Sequence, residues 1–358
     1  MGPCIGVMAG GTGGHVFPAL AVAERLRAEG VRVFWIGTRR GMESRLVPAH
    51  DFEIEWIGIE GVRGKGWLSR VLAPWRLARA SWQAARILRR RRPALVLGMG
   101  GFVSGPGGVM ARVLGIPLVV QEQNRVPGLT NQWLSRIARR VFEGFPGSFP
   151  VGRAEVSGNP VRAEIAALPA PAARWRDRDG AVRLLVLGGS LGALALNRTL
   201  APALARLAPE ARPVVRHQAG TRTLDEARAA YREAEVEAEV VPFIDDMAAA
   251  YAWADLVVCR AGALTVSELA AAGVGAVLVP YPHAVDDHQR ANAGYLVEAG
   301  AARLLAQPEL TAGRLAELLA ELLGDRAGLL TMAEAARGRA RPDAAARIAA
   351  CCLEEARR

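Results

Sequence analysis

Two stretches of this 358-residue chain hold side chains whose types and spacing could do chemistry. Within residues 255–289, the apolar run 256–258 reads as a buried strand, broken by Arg260-Ala261-Gly262-Ala263. Residues 264–272 then have helical character, Gly273 stops the helix, and 274–280 form another strand. Thr265 and Ser267 sit where the helix begins, and Glu268 follows Thr265 at the spacing of a capping box. A helix opening from such a turn presents unpaired N–H groups and the positive end of its dipole, both suited to an anion. An ordinary strand–helix–strand unit has the same pattern, so this stretch alone leaves both readings open. The second stretch, Gly10-Gly11-Thr12-Gly13-Gly14-His15, places an imidazole directly after a glycine loop.

The elements that must position these groups follow from the rest of the chain. Residues 4–9 form a strand, the glycine loop follows, and a helix is expected over about 17–27, with Pro18 in its first turn and Gly30 past its end. The strand 31–37 ends in Thr38-Arg39-Arg40, with no Asp or Glu there to hold an adenosine ribose. The glycines miss the G-x-G-x-x-G spacing and no Walker lysine follows, which counts against nicotinamide cofactors and ATP. Further strands are expected at 54–59, 95–99, 117–120 and 141–145, with a helix over 131–140. Gln121-Glu122-Gln123-Asn124 closes the strand 117–120, and polar residues at such strand ends face the ligand crevice of an open parallel sheet. After a Gly- and Pro-rich stretch at 144–160 the pattern restarts: strand 182–187, then Gly188-Gly189-Ser190-Leu191-Gly192-Ala193, then a helix. Strands at 214–218, 240–243, 256–258 and 276–279 follow, and residues 311–358 read as helices rich in Ala, Leu and Arg.

The second half echoes the first. GGTGGHVFPA answers GGSLGALALN, and residues 95–121 answer 256–282 as strand, small-residue turn, helix, Gly, strand. The fold class is therefore α/β, with two Rossmann-like parallel-sheet domains whose strand ends face one cleft. The expected division is 1–158, 159–335, and a C-terminal helix 336–358 that packs back on the N-terminal domain.

Composition narrows the class. With 51% hydrophobic and 22% charged residues the chain is globular, and its length allows two sizeable cores. The net charge of +10 is almost all arginine, Lys65 being the one lysine. Genome composition or heat adaptation also produces such an Arg and Ala bias, which discounts it as a partner signal, although a basic chain suits nucleic acid, an anionic membrane or phosphate-bearing substrates. Cys4, Cys259, Cys351 and Cys352 lack metal-ligand spacing, and the adjacent pair makes a poor disulfide, so a reduced cytosolic setting is expected. No signal peptide is expected, since the first residues go straight into a strand. The uncharged run 94–111 is too rich in glycine, and carries Pro106, to be a transmembrane helix, so membrane contact is expected to be peripheral. The tract 67–92 sets Trp67, Leu68, Val71, Leu72, Trp75 and Trp82 among many arginines. That pattern suits a lipid headgroup interface. By pattern alone it reads first as a helix with its aromatics on the sheet and its arginines in water.

With these residues laid out, the sequence resembles the MurG family of UDP-N-acetylglucosamine transferases, over nearly its whole length. The motifs are GGTGGH at 10–15, GGFVSGP at 100–106, EQN at 122–124, GNPVR at 158–162, GGSLGA at 188–193 and RAGALTVSE at 260–268, completed by His288-Gln289 and Asn292-Ala293. Gln121 stands where the family usually has His, which alters a hydrogen bond behind Glu122. Cys259 replaces the usual Ser, and an Asp-Asp pair precedes His288. The resemblance implies a GT-B glycosyltransferase at the cytoplasmic face of the inner membrane, peripheral to it, with UDP-GlcNAc as donor and lipid I as acceptor. GlcNAc would pass with inversion to the C4 hydroxyl of MurNAc, giving lipid II in peptidoglycan synthesis.

An inverting transfer needs a base, an in-line approach and stabilisation of the departing diphosphate. Histidine titrates near neutrality, so His15 suits the base, though it could also cap a helix or bind acceptor phosphate. Glu122 is the rival, and could equally be a structural carboxylate orienting Asn124. No cofactor is expected. Without a convincing Asp-x-Asp element no metal is expected either, and Asp245-Asp246 and Asp286-Asp287 read better as helix caps. The diphosphate would be held by Gly189-Ser190 and by the helix start at Ala263, Leu264, Thr265, Val266 and Ser267. The resemblance assigns the uracil to the backbone at Ile244 and the ribose hydroxyls to Glu268, a fitting acceptor for a cis-diol. Gln289 and Asn124 would read sugar hydroxyls, and Arg162 would contact the nucleotide. Thr12, Gly13 and Gly14 would close on the donor. Gly13, Gly14 and His15, with Gly101 and Ser104, would meet the acceptor. A lipid-linked acceptor makes interfacial docking the favoured reading of the Trp–Arg tract, on an anionic inner membrane surface. Alternatives are another GT-B UDP-sugar transferase, a UDP-GlcNAc epimerase, or a non-catalytic nucleotide-sugar binder. Nucleic acid is not expected, since no motif for it occurs.

Overall fold

The computed structural model describes residues 2–59, 73–189, 192–282 and 287–358. The chain divides into two compact units, Met1–Arg162 with Pro342–Arg358, and Ala163–Arg341. The divisions expected at 158 and 335 fall a few residues earlier. GNPVR stays with the first unit, and the helix Arg326–Gly338 stays whole within the second.

In the first unit β1 (Cys4–Met8), β2 (Arg32–Gly37), β3 (Glu53–Trp56), β4 (Leu95–Gly98), β5 (Leu118–Glu122), β6 (Arg140–Glu143) and β7 (Glu155–Val156) make one sheet. Its order is β3-β2-β1-β4-β5-β6-β7, with every pair parallel. The central strands are apolar along their length because helices cover both faces; β4 and β5 are buried at every residue. The edge strand β7 lies beyond the expected strands, and its two residues carry no periodicity to read. The C-terminal helix Ala344–Arg357 lies against the first helix, where Ile348 and Cys352 join Val16, Leu20 and Ala23 in one core. Arg139 Nε also sits 2.7 Å from the buried Glu355 carboxylate of that helix. Truncating Ile348 to Ala would cost about 2–5 kcal/mol.

Two helix boundaries differ from expectation. The first helix is Gly13–Ala28 and starts before Phe17. Thr12 is extended (φ −112°, ψ 161°), and its carbonyl accepts from the N–H groups of His15 and Val16. The glycine pair therefore forms the first turn despite a propensity cost of about 1 kcal/mol per glycine. Pro18 lies beyond that turn, and its missing N–H leaves the Gly14 carbonyl without an intrahelical donor. The helix expected over 131–140 is Leu129–Ser135. It ends early because the Arg139 N–H bonds Leu118 O at 2.8 Å, which draws the chain into the sheet.

In the second unit β8 (Arg183–Leu187), β9 (Val214–Gln218), β10 (Glu239–Val241), β11 (Leu256–Cys259), β12 (Gly275–Leu278) and β13 (Ala302–Leu304) pair in the order β10-β9-β8-β11-β12-β13. This again is third-second-first-fourth-fifth-sixth, all parallel, the doubly wound dinucleotide-fold order. β13 also lies beyond the expected strands, because Arg303 interrupts its apolar run. The helix Ala263–Ala272 ends at Gly273 (φ 63°) in the left-handed conformation that suits glycine. The capping box expected at its start does not form. Gly262 is the N-cap, which leaves Thr265 and Glu268 inside the helix.

Candidate active site

In a doubly wound sheet, ligands gather at the strand carboxyl ends where the order reverses, here between β1 and β4. The two turns beyond these strands nearly touch: a Cβ on Gly101 (φ 81°) would lie 2.3 Å from Gly10 O. Ser104 locks them together by donating to Met8 O (3.0 Å) and Gly100 O (2.8 Å). Its hydroxyl is fully buried, so it positions the turns and offers no face to an acceptor.

His15 stands in the first turn of its helix, with Nδ1 2.7 Å from Gln123 Oε1. The orientation of Gln123 is fixed from behind, because its Nε2 donates to Met99 O (2.8 Å) and to Gln121 Oε1 (2.5 Å). The amide oxygen therefore faces the imidazole, which fixes the tautomer of the neutral ring: Nδ1 carries the proton and Nε2 keeps its lone pair. Gly100 permits this approach, since a Cβ there would lie 2.6 Å from His15 Nδ1.

Glu122 is 1% exposed. One carboxylate oxygen accepts from Asn124 N (2.8 Å) and Asn124 Nδ2 (3.1 Å), the other from Gly128 N (3.1 Å) and Asn131 Nδ2 (2.9 Å). Protonating it would turn an acceptor into a donor facing donors, so the geometry fits an orienting carboxylate and argues against a base. Gln121 reaches past Glu122: besides its bond to Glu122 O (3.0 Å), Nε2 donates to Asn159 Oδ1 (2.9 Å), while Asn159 Nδ2 donates to Gln123 O (2.9 Å). Gln123 and Asn159 are the site residues that sequence reasoning passed over, although both lie within motifs that marked the place. Arg162 stacks its guanidinium 5.3 Å over the Phe17 ring.

The second unit repeats the arrangement with other side chains. After β8 come Gly188 and Gly189; Ser190 lies outside the described residues. Asn197, in the helix Leu194–Ala205, is buried and donates to Ala219 O (3.0 Å) and Thr223 Oγ1 (3.0 Å). Its Oδ1 meets His217 Nε2 at 3.1 Å, and His217 Nδ1 meets Tyr231 Oη at 3.1 Å. Burial pushes His217 down to about 4, so this histidine is a neutral structural group near physiological pH.

The helix Ala263–Ala272 begins beyond β11. Its first intrahelical donor is Val266, whose N–H bonds Gly262 O at 2.9 Å. Ala263, Leu264 and Thr265 thus carry the N–H groups that open the helix. Val266 differs from these three, because its N–H is engaged and its side chain is fully buried. Ser267 donates to Ala263 O (2.9 Å), a bond inside the helix. Glu268 is 4% exposed and accepts from Tyr251 Oη at 3.2 Å. Gln289 Oε1 accepts from Tyr281 N (2.9 Å), and Ile244 is half-buried just past β10. Arg260 points away from the helix start, donating to Val279 O (3.1 Å) and Gln307 Oε1 (2.6 Å). The other end of this helix is clamped by cations, as its dipole favours. Arg174 Nη2 reaches Ala272 O (2.7 Å) and Gly273 O (2.6 Å), and Arg337 reaches Ala271 O. Burial, with Arg178 and Arg337 nearby, lowers Arg174 to about 10.

Of the residues expected at a membrane, Trp67, Leu68, Val71 and Leu72 lie outside the described residues. The helix Ala73–Arg91 buries Ala80, Ala84, Ala85, Ile87 and Leu88. Trp75 and Trp82 are turned outward at 71% and 62% exposure, not inward onto the sheet. Exposed Val113 and Trp133 stand on the next two helices of this packed series, Ser104–Val113 and Leu129–Ser135. Among the described residues no helix is long and apolar enough to cross a membrane.

Two doubly wound sheets, each with small-residue turns and an open helix start at its switch point, define the architecture of GT-B glycosyltransferases. The N-terminal domain model of glycosyltransferase family 28 matches residues 5–143 and the C-terminal domain model matches residues 183–348. An Alkalilimnicola ehrlichii protein is 59% identical over 351 residues, with 98% of each chain covered. It is named UDP-N-acetylglucosamine--N-acetylmuramyl-(pentapeptide) pyrophosphoryl-undecaprenol N-acetylglucosamine transferase. A Nitrosococcus oceani protein of the same name is 58% identical, again with 98% of each chain covered. The crystal structure of Acinetobacter baumannii MurG superposes with a TM-score of 0.85 at 43% identity, covering 98% of this chain and 99% of that one. The chain belongs to the MurG family within glycosyltransferase family 28.

Proposed function

We propose that the chain transfers GlcNAc from UDP-GlcNAc to the C4 hydroxyl of MurNAc in lipid I, giving lipid II. The names of relatives near 59% identity over almost the whole chain support the substrates. The observation that carries the chemistry is the His15–Gln123 contact, which leaves the His15 Nε2 lone pair for a proton. In this reading Nε2 accepts the proton of the C4 hydroxyl as its oxygen forms a bond to the anomeric carbon. The bond from that carbon to UDP breaks with inversion, and UDP leaves with the electron pair. The negative charge gathering on the diphosphate meets the N–H groups of Ala263, Leu264 and Thr265 and the backbone at Gly189, with Ser190 next to it in the sequence. Glu268 accepts from the ribose hydroxyls, Ile244 meets the uracil, and Gln289 and Asn124 read the sugar. Arg162 and the Thr12–Gly14 turn complete the donor side, and the N–H groups of Gly13 and Gly14 suit the acceptor diphosphate. Glu122 holds Asn124 in place.

The acceptor's lipid tail brings the exposed Trp75 and Trp82, with the arginines around them, to the cytoplasmic surface of an anionic membrane as a peripheral contact. Radiolabelled UDP-GlcNAc with a short-chain lipid I analogue tests the reading. Label should enter the acceptor with or without EDTA, and no free sugar should form when the acceptor is omitted. Sugar release without acceptor would overturn it in favour of an epimerase, and EDTA inhibition would remove the metal-free diphosphate clamp.

A further inference from the structure

We infer that Glu43 is a positioning residue for the glycine loop that leads to His15. It lies just past the end of β2, at the start of the short helix Glu43–Ala49, and is fully buried. In a dinucleotide-binding sheet an acidic group beyond this strand faces a ribose. Here the carboxylate turns inward. Oε2 accepts from Gly11 N at 2.9 Å, and Oε1 accepts from Thr38 N at 2.9 Å and Thr38 Oγ1 at 2.7 Å. The loop answers through its own carbonyl, with Met42 N donating to Gly11 O at 3.3 Å.

Three glycines from three segments make room for this side chain. A Cβ on Gly10 would lie 2.7 Å from Glu43 Oε1, one on Gly37 would lie 2.8 Å from its Cγ, and one on Gly41 would overlap the carboxylate. The loop is thus held from two sides. Glu43 fixes the Gly11 N–H, and the turn after β4 presses on Gly10 O. Gly11 (φ 92°) is next to Thr12, the N-cap of the helix that carries Gly13, Gly14 and His15. A buried carboxylate gripping the residue before that cap sets where the helix begins, and so where the imidazole stands. An ionised acceptor suits the task because its hydrogen bonds are stronger than neutral ones.

The kinetic arm of the test rests on the proposed function; the exchange arm does not. In Glu43→Gln the shape is kept, but one oxygen becomes an NH2 group facing a donor. The Gly11 amide should exchange with solvent about ten- to a hundredfold faster, as expected for the loss of a bond to a carboxylate. The kcat for transfer should fall by a similar factor, while the KM for UDP-GlcNAc stays near the parent value and the Tm falls by no more than about ten degrees. Thr38→Val, which removes one bond to Oε1, should show a smaller shift in the same direction, and carries the test if Glu43→Gln fails to fold. Unchanged Gly11 exchange in the folded variant overturns the inference. So does faster exchange with parent kcat, or a rise in the UDP-GlcNAc KM equal to the fall in kcat. Faster exchange in a chain whose parent transfers no GlcNAc would sink the proposed function and leave the anchoring of the loop standing.

Discussion

The two units share a strand order and small residues after their first strand, yet place His15 and His217 oppositely. In the first, His15 is half-buried at the sheet's switch point, with one ring nitrogen held by Gln123. In the second, His217 lies on β9, buried, with both nitrogens bonded to side chains, and its pKa is pushed down to about 4. A group fully engaged inside the protein stabilises it and has no site left for chemistry. One with a single anchored nitrogen is oriented and still reactive. Glu122 and Glu43 fit the same rule: both are buried carboxylates bonded to backbone and side-chain donors, an arrangement suited to support and not to proton transfer. One architecture used twice thus yields a half suited to proton transfer and a half suited to holding an anion.

Replacing His15 by Ala should break the contrast most strongly. The kcat should fall about 10²- to 10⁴-fold, the usual contribution of a general base, while UDP-GlcNAc affinity measured by calorimetry changes little. Retained turnover would remove His15 from the mechanism. For His217 the sign runs the other way round from a paired histidine. Its folded pKa lies below the unfolded value of about 6.5, so its stabilisation is present above that pH and is lost as pH falls towards 4. The loss should be on the order of 2–3 kcal/mol. Unfolding at a series of pH values should show this slope in the parent and a flatter one in His217→Gln; equal slopes would contradict it. The smallest effect belongs to the outer face of the first unit. Trp75→Ala with Trp82→Ala should weaken binding to anionic liposomes by about tenfold, from lost burial of apolar area, with Tm unchanged because both rings are exposed. Parent-like liposome affinity in the folded double variant would rule that face out.

Much of the site could be read along the chain. Glycine runs and strand ends are local signals, so the glycine motifs at 10–15, 100–106 and 188–193, the helix after Arg260 and the repeated α/β pattern were all visible in the residues. Strands of two or three residues, such as β7 and β13, were not, because they are made by a neighbour's hydrogen bonds and carry no periodicity of their own. The first helix was placed late for a related reason: glycine propensity argues against Gly13 and Gly14, and the extended Thr12 overrides it. By itself, then, the sequence determined the family, the two doubly wound halves and the stretches where ligands belong, since these rest on residue type and spacing along the backbone. Only the tertiary structure decided what each polar side chain does there. Whether a carboxylate or an imidazole is free to react depends on how many donors and acceptors close around it. For Glu122 those partners come from up to nine positions away, for Glu43 from 32 and for His15 from 108, separations at which no local pattern survives.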